Sequence, residues 1–249
     1  MNLIRLPLEG VSNARELGGY PCLKGFTKYK SFLRTDDLSR LTEKDIQTLL
    51  AYGITSVIDL RSKSELLKLP NPFADGVKGI NYINIPLMND DVASPDFTRL
   101  VLDNAEGYLK QAYIDMINNS QRAVCDIFRF IAGQNEGCTV FHCTAGKDRT
   151  GIIAALLLGL AGVSHADILA NYAVSYIYLR ENKPFVEGLS SFSRALMYSN
   201  IENFEPALEL VEEHYKGYEQ YLLKTGLTKD ELQKIYQRLV NEVAQSKTL

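Results

Sequence analysis

The chain has 249 residues, of which 46% are hydrophobic and 23% charged, so it can build a sizeable core and is not a disordered sequence. Its net charge of −3 argues against a nucleic-acid partner or a broadly basic membrane surface, although a local basic site stays open. The three histidines lie far apart and the four cysteines form no CxxC pair, so we predict no metal site and no cofactor.

The N-terminal ten residues contain no apolar run long enough for a secretion signal. If Met1 is the native start, we expect a cytoplasmic protein; if a signal was trimmed, we expect a secreted one. The polar, glycine-rich segment 13–20 contains a turn at Gly18 and Gly19. Arg15 in this segment is a surface charge, a support for a functional rim or a structural residue, and we favour the structural role. A short strand begins at Ser31.

A helix is predicted over residues 42–53, because Thr42 and Asp45 have the spacing of a capping box and Gly53 can end it. Residues 54–60 then read as a strand. The succession of helix and strand predicts a parallel central sheet.

Charged and polar residues follow that strand. Asp59 and Arg61 lie at its carboxyl end, where open α/β sheets bind ligands. Ser62 and Glu65 form a second capping box that opens a short helix.

The middle of the chain adds one more strand and a helical region. Residues 80–85 read as a strand that runs into a loop with Asp90 and Asp91. Residues 106–132 have helical periodicity. We interpret the following apolar face as core packing: Leu109, Ala112, Tyr113, Met116 and Ile117.

The most informative stretch is TVFHCTAGKDRTGIIAALLLGLAGV, residues 139–163. Residues 139–142 read as a buried strand. Residues 151–163 form an apolar run that is too short to cross a bilayer and fits a buried core helix. The segment between them, from Cys143 to Arg149, is a loop of the size that wraps its N–H groups around one tetrahedral oxyanion.

The residues of this loop suit phosphoryl transfer without a metal. The helix N-terminus and the loop N–H groups favour a nucleophilic thiolate at Cys143. Arg149 can grip two phosphoryl oxygens as a fork, and Thr150 can donate to the departing thiolate. Gly146 is expected to let the backbone approach the anion. The anion would be bound through the loop residues Thr144, Ala145, Gly146 and Lys147.

The C-terminal third is helical and aromatic. A helix begins after Ser164, and a last helix begins at Thr228 with a capping box to Glu231. Its apolar face comprises Leu232, Ile235, Tyr236, Leu239 and Val243. Residues 172–221 contain seven tyrosines, which indicate either a helical lid over an active site or ordinary helix packing, and we favour packing. We find no repeat or linker and predict one domain over residues 1–249.

The string HCTAGKDRTG resembles the signature of the protein tyrosine phosphatase superfamily, and is similar to that of a bacterial branch that acts on phosphotyrosine and phosphoinositides. Four other segments are similar to this branch: NARELGGY at 13–20, RTDDL at 34–38, VIDLRSKSE at 57–65, and GLTKDEL near the C-terminus. The resemblance implies an α/β fold with a central, mostly parallel sheet flanked by helices.

The resemblance also implies roles for individual residues. His142 would support the loop. Asp59 would hold it by hydrogen bonds, or else form only a surface salt bridge. Asp148 is favoured as the general acid, with Asp90 and Asp91 as alternatives. Lys147 would either contact a second phosphate of an inositol ring, pair with a neighbouring acid, or be a solvated charge.

Other readings of the loop are weaker. A Walker phosphate loop would need Ser or Thr where Asp148 stands. Sulfur transferases and arsenate reductases fit the Arg-Thr-Gly ending less well, and a non-catalytic phosphate-binding relative is disfavoured because Cys143 and Arg149 are intact. We therefore expect a metal-independent phosphatase acting on phosphotyrosine, with phosphoserine, phosphothreonine or phosphoinositide esters as further candidates, through a cysteinyl-phosphate. Cys22 and Cys125 are candidate redox partners of Cys143.

Overall fold

The computed structural model describes residues 5–74, 79–88, 105–134, 136–181, 187 and 196–242. Its strands in chain order are β1 (Arg15–Glu16), β2 (Pro21–Cys22), β3 (Gly25–Thr27), β4 (Phe32–Thr35), β5 (Ile54–Asp59), β6 (Asn81–Asn84), β7 (Cys138–His142) and β8 (Val240–Glu242). Five of them form a central sheet in the order β1-β4-β7-β5-β6. All neighbours in it are parallel except β1 and β4, which confirms the mostly parallel sheet.

Helices flank this sheet, as predicted. In chain order they are α1 (Glu43–Tyr52), α2 (Lys63–Lys68), α3 (Ala105–Asn119), α4 (Gln121–Ala132), α5 (Asp148–Ala161), α6 (His165–Glu181), α7 (Ile201–Glu209), α8 (Tyr218–Lys224) and α9 (Lys229–Leu239). The helical region predicted over 106–132 is divided at Ser120 into α3 and α4.

The predicted capping boxes form at the start of α1, α2 and α9, each with both reciprocal hydrogen bonds. Gly53 ends α1 in the left-handed conformation, with φ of 100°. Helix α9 ends at Leu239, because the chain turns extended at Val240 and β8 pairs with β3 in a second, antiparallel sheet. Val243, predicted to lie on the face of α9, is outside the described residues.

The two faces of the central sheet are covered by two apolar clusters. Successive side chains of a strand point to opposite faces, so Val140 and Phe141 of β7 enter different clusters. Helix α5 is buried almost all round, as its apolar sequence predicts. The sheet register aligns Thr35, His142 and Asp59, the last residues of β4, β7 and β5. The segments that follow these three strands therefore meet at one edge.

Several described aromatic residues of the C-terminal third pack in the core, whereas Tyr198 is exposed. Tyr172, Phe204 and Tyr221 are buried, and the ring of Tyr172 stacks on Phe204 with centroids 4.1 Å apart. These three rings therefore serve helix packing, which is the interpretation that we favoured from the sequence. A lid stays a prediction, because residues 182–186 and 188–195 lie outside the described part. No described helix has the length and apolarity needed to cross a membrane.

Candidate active site

The loop between β7 and α5 lies at the carboxyl edge of the central sheet. Cys143 directly follows β7, and Arg149 lies in the first turn of α5. At the bend, Gly146 has φ of 65°, and a Cβ there would lie 2.4 Å from the carbonyl oxygen of Thr35. Glycine is therefore required by the left-handed conformation and by the close approach of β4. From the sequence we expected a different reason for this glycine, the approach of the backbone to an anion.

Two buried side chains bind the loop from behind. The amide of Asn13 donates to the carbonyls of Ala145 and Gly146 at 2.9 and 3.1 Å. The guanidinium of Arg34 donates to the carbonyls of Gly146 and Lys147 at 2.7 and 3.3 Å. Since a planar trans peptide points its N–H away from its C=O, these contacts turn the loop N–H groups toward the opposite side. Such an arrangement favours an anion.

Arg149 is held by Glu65, in the first turn of α2. Its Nη1 and Nη2 donate to the two carboxylate oxygens at 2.6 and 2.8 Å. Thr144 also donates its hydroxyl to Glu65. Burial alone would raise the pKa of Glu65, but the hydrogen bonds and charge of Arg149 lower it to about 2. A guanidinium has five N–H donors, so donors remain for a phosphoryl oxygen.

Replacing Glu65 with Gln should therefore reduce activity. Gln can complete the capping box of α2, but it provides no charged, two-oxygen acceptor for Arg149. We expect kcat/KM toward an aryl phosphate to fall by roughly ten- to a hundredfold, as for a misplaced catalytic group. The ion pair should also stabilise the fold above pH about 4.5, with this contribution lost as the pH falls toward 2.

Glu231 provides a matched control. Like Glu65, it completes a capping box and pairs with an arginine, here Arg129 at 2.9 Å. Glu231, however, lies on α9 and not at the loop. Glu231→Gln should keep wild-type kinetics. Wild-type kcat/KM in Glu65→Gln would contradict the role given to this carboxylate.

The buried Lys147 and the partly exposed Asp148 form an ion pair at the other side of the loop. The ammonium of Lys147 donates to Oδ1 of Asp148 at 2.6 Å and to the carbonyl of Tyr198 at 3.3 Å. The side chain of Lys147 is 2% exposed. The hydroxyl of Tyr113 also donates to Oδ1 of Asp148. Burial tends to lower the pKa of Lys147, but the charge of Asp148 leaves it raised. Lys147 is therefore placed as the partner of a neighbouring acid, and not as a solvated charge.

Asp59 and His142 lie beneath the loop, and both are fully buried. Burial would raise the pKa of Asp59, but the nearby His142 and the hydrogen-bonded Arg61 lower it. The Nε2 of His142 is 3.2 Å from Asp59 and 2.9 Å from the amide of Asn71, and its Nδ1 is 3.2 Å from the carbonyl of Cys143. The burial of Asp59 therefore excludes a surface salt bridge. Asp59 contacts His142, which directly precedes the loop.

Cys143 is almost fully buried, with only 2% of the residue exposed. The hydroxyl of Thr150 is buried and has no hydrogen-bond partner in the described part of the chain. All four cysteines are free. A redox partner for Cys143, whether Cys22 or Cys125, stays a prediction.

Sequence reasoning missed several residues of this site. It interpreted Glu65 only as a helix cap and Tyr113 only as core, and it gave no role to Asn13, Arg34 or Asn71. Glu65 could have been suspected, because it follows the carboxyl end of β5 by a few residues. The alternative acids Asp90 and Asp91 lie outside the described residues.

A mostly parallel sheet delivers the Cys-to-Arg loop to the N-terminus of a buried helix, an arrangement that fits a phosphatase of the α/β class. The chain belongs to the tyrosine phosphatase family, whose model matches residues 6–241. It is 35% identical over 228 residues to a tyrosine-protein phosphatase of Nostoc commune, covering 84% of this chain and 74% of that protein.

A second relative is the triple specificity protein phosphatase PtpB of Mycobacterium tuberculosis, 27% identical over 238 residues that cover 78% of this chain and 85% of PtpB. Among solved structures, TpbA of P. aeruginosa has a TM-score of 0.35 and 14% identity, covering 76% of this chain and 92% of TpbA.

Proposed function

We propose that this protein hydrolyses phosphotyrosine esters through a cysteinyl-phosphate intermediate, without a metal ion. The observation that carries the proposal is the loop itself: Cys143 and Arg149 bracket a turn whose carbonyls are bound from behind. Such a loop presents N–H groups and a guanidinium to one anion. The name of the tyrosine-protein phosphatase of Nostoc commune supports the substrate class.

The reaction would proceed in two displacements. The thiolate of Cys143 attacks phosphorus, the bond from phosphorus to the ester oxygen breaks, and Asp148 gives its proton to that oxygen. Water then attacks the cysteinyl-phosphate and returns a proton to Asp148, while the S–P bond breaks. The hydroxyl of Thr150 can donate to the leaving thiolate. Arg149 and the loop N–H groups stabilise the equatorial oxygens in both steps.

The hydrogen bonds of Asp148 support its role as the acid. Lys147 and Tyr113 both donate to Oδ1, and Oδ2 accepts no hydrogen bond within the described residues. The side chain is 30% exposed, so Oδ2 can meet a substrate from solvent. In this arrangement Oδ2 transfers the proton, while Oδ1 fixes the orientation of the carboxyl group.

A direct test is hydrolysis of 4-nitrophenyl phosphate in the presence of excess chelator. We expect full activity, inhibition by vanadate, and no turnover of thiosulfate. Loss of activity on chelation would overturn the metal-independent mechanism. Binding of phosphate without turnover would favour a non-catalytic binding module, and turnover of thiosulfate would favour a sulfur transferase.

Substrate preference can be tested at Lys147. The buried ammonium of Lys147 is paired with Asp148, so Lys147→Met should misplace the acid. We therefore expect activity to fall by roughly tenfold on phosphotyrosine peptides and on multiply phosphorylated inositol lipids alike. A panel of both substrate classes measures this. A larger loss on the lipids, shrinking at high ionic strength, would instead indicate that Lys147 contacts a second phosphate.

A further inference from the structure

Two arginines form a buried pair behind the loop. Arg15 of β1 and Arg34 of β4 are register partners in the sheet, and both are 0% exposed. Asn171 of α6 joins them, because its carbonyl accepts from Arg15 at 2.7 Å and its side-chain oxygen accepts from Arg34. Two guanidiniums thus share one buried region directly beneath the loop.

Neither guanidinium has a carboxylate partner among the described residues. Arg15 donates to Asn13, to the carbonyl of Asn171 and to the hydroxyl of Ser175, while Arg34 donates to Asn171 and to two loop carbonyls. The Nε of each has no hydrogen-bond partner there. Burying a cation in this way is costly unless an opposite charge compensates it.

Asp36, a buried carboxylate two residues from Arg34 in sequence, is hydrogen-bonded to other groups. Asp36 accepts from the backbone N–H groups of Ser12 and Asn13 and from the hydroxyl of Thr35, and it forms no described ion pair with either arginine. Burial raises its pKa. Asp36 therefore offsets at most one of the two charges.

Each of the other described cations at the loop has its own carboxylate. Arg149 pairs with Glu65, and Lys147 pairs with Asp148. Arg61, beneath the loop, pairs with both Asp37 and Asp59. Among these described cations, only the buried pair of Arg15 and Arg34 therefore lacks a direct carboxylate partner.

We propose that the Arg15–Arg34 pair is the fixed counter-charge for the active-site anions, first the Cys143 thiolate and then the bound phosphoryl dianion. This inference rests on the proposed function. Arg34 acts through the peptide units of the loop, because a cation on the carbonyls of Gly146 and Lys147 polarises the N–H groups on the opposite side. Arg15 acts through its charge, since it makes no hydrogen bond to the loop.

The electrostatic surroundings of Arg34 agree with this role. Burial lowers its pKa to about 10, while negative charge on nearby groups acts in the opposite direction. The titratable and charged groups that face it are Tyr20, Cys143, Tyr172, Asp148 and Arg15. Two of these, Cys143 and Asp148, belong to the loop.

The first test compares Arg34→Gln with Arg34→Lys. The pH midpoint of Cys143 alkylation by iodoacetamide reports the thiolate, and inorganic phosphate as a competitive inhibitor reports the bound dianion. We expect Arg34→Gln to raise the midpoint by about one pH unit and to weaken phosphate inhibition about tenfold. Arg34→Lys should stay near the wild-type midpoint, because it keeps the charge. Equal shifts in both variants would overturn the inference in favour of hydrogen-bond geometry.

Arg238→Gln is a matched control at the other end of β7. Arg238 is a partly buried arginine that also donates to uncharged groups, the carbonyls of Ile131 and Gly137 and the hydroxyl of Thr139. The Arg238→Gln variant should leave the alkylation midpoint and the phosphate inhibition unchanged. A midpoint shift as large as that of Arg34→Gln would overturn the inference. Wild-type turnover of an aryl phosphate is measured first: its absence refutes the proposed function, whereas turnover with unshifted Arg34 variants refutes only this inference.

Two measurements remain decisive if Arg34→Gln does not fold. Arg15→Gln removes no direct hydrogen bond to the loop and should raise the midpoint by about half a pH unit. In the wild type, phosphate inhibition should weaken less than about threefold between roughly 0.05 and 0.5 M sodium chloride, since buried charges are poorly screened. An unshifted midpoint in Arg15→Gln, or a loss of phosphate affinity above tenfold with salt, would overturn the inference.

Discussion

Replacement of Cys143 by Ser should reduce turnover of an aryl phosphate by about four orders of magnitude or more, the loss expected when a nucleophile is removed. A serine hydroxyl keeps its proton at neutral pH and is a weak nucleophile unless an adjacent base activates it. Phosphate should still bind, because the cradle consists of loop N–H groups and Arg149, which the substitution leaves in place. Steady-state kinetics and calorimetric titration with phosphate measure the two properties separately.

The same substitution at Cys22, a half-buried free cysteine of β2, provides the control and should leave turnover unchanged. Appreciable turnover in a clean Cys143→Ser preparation would exclude the cysteinyl-phosphate mechanism. Loss of phosphate binding together with turnover would show instead that the loop no longer folds.

Asp148→Asn should have the second-largest effect. A positioned general acid contributes roughly 10²- to 10⁴-fold, so kcat should fall within this range for esters with poor leaving groups and much less for 4-nitrophenyl phosphate. The basic limb of the pH–rate profile should flatten, because the group whose deprotonation produces it is gone. Profiles for a series of aryl phosphates with different leaving groups measure both effects.

Asp167→Asn is the matched control, since Asp167 also lies in the first turn of a helix, α6, but is hydrogen-bonded to Ser164 near the surface. It should keep the wild-type profile. If Asp148→Asn behaves like this control while Asp90→Asn or Asp91→Asn loses the basic limb, the acid is one of the latter residues.

Much of the fold could be predicted because its signals are local. Capping boxes span four residues, so the starts of α1, α2 and α9 were readable from the sequence, and the apolar run after Arg149 marked α5. The boundary at Ser120 was not readable, because the apolar periodicity of α3 and α4 continues across it. The end of α9 was missed because pairing with β3, more than 200 positions earlier in the chain, decides it.

The sequence by itself determined the chemistry at the loop: a thiol, a guanidinium, a carboxyl group and a glycine bend at fixed spacing before a buried helix. Only the tertiary structure decided how these groups are held. Glu65 reaches Arg149, and Asn13 and Arg34 reach the loop carbonyls, across separations of 84, 133 and 112 residues. Those contacts depend on the parallel register of β4, β7 and β5, which brings three distant segments to one edge of the sheet. Sequence periodicity reports which face of an element is buried, but not which charged groups then lie together, so the pairing of charges around the loop had to be read from the structure.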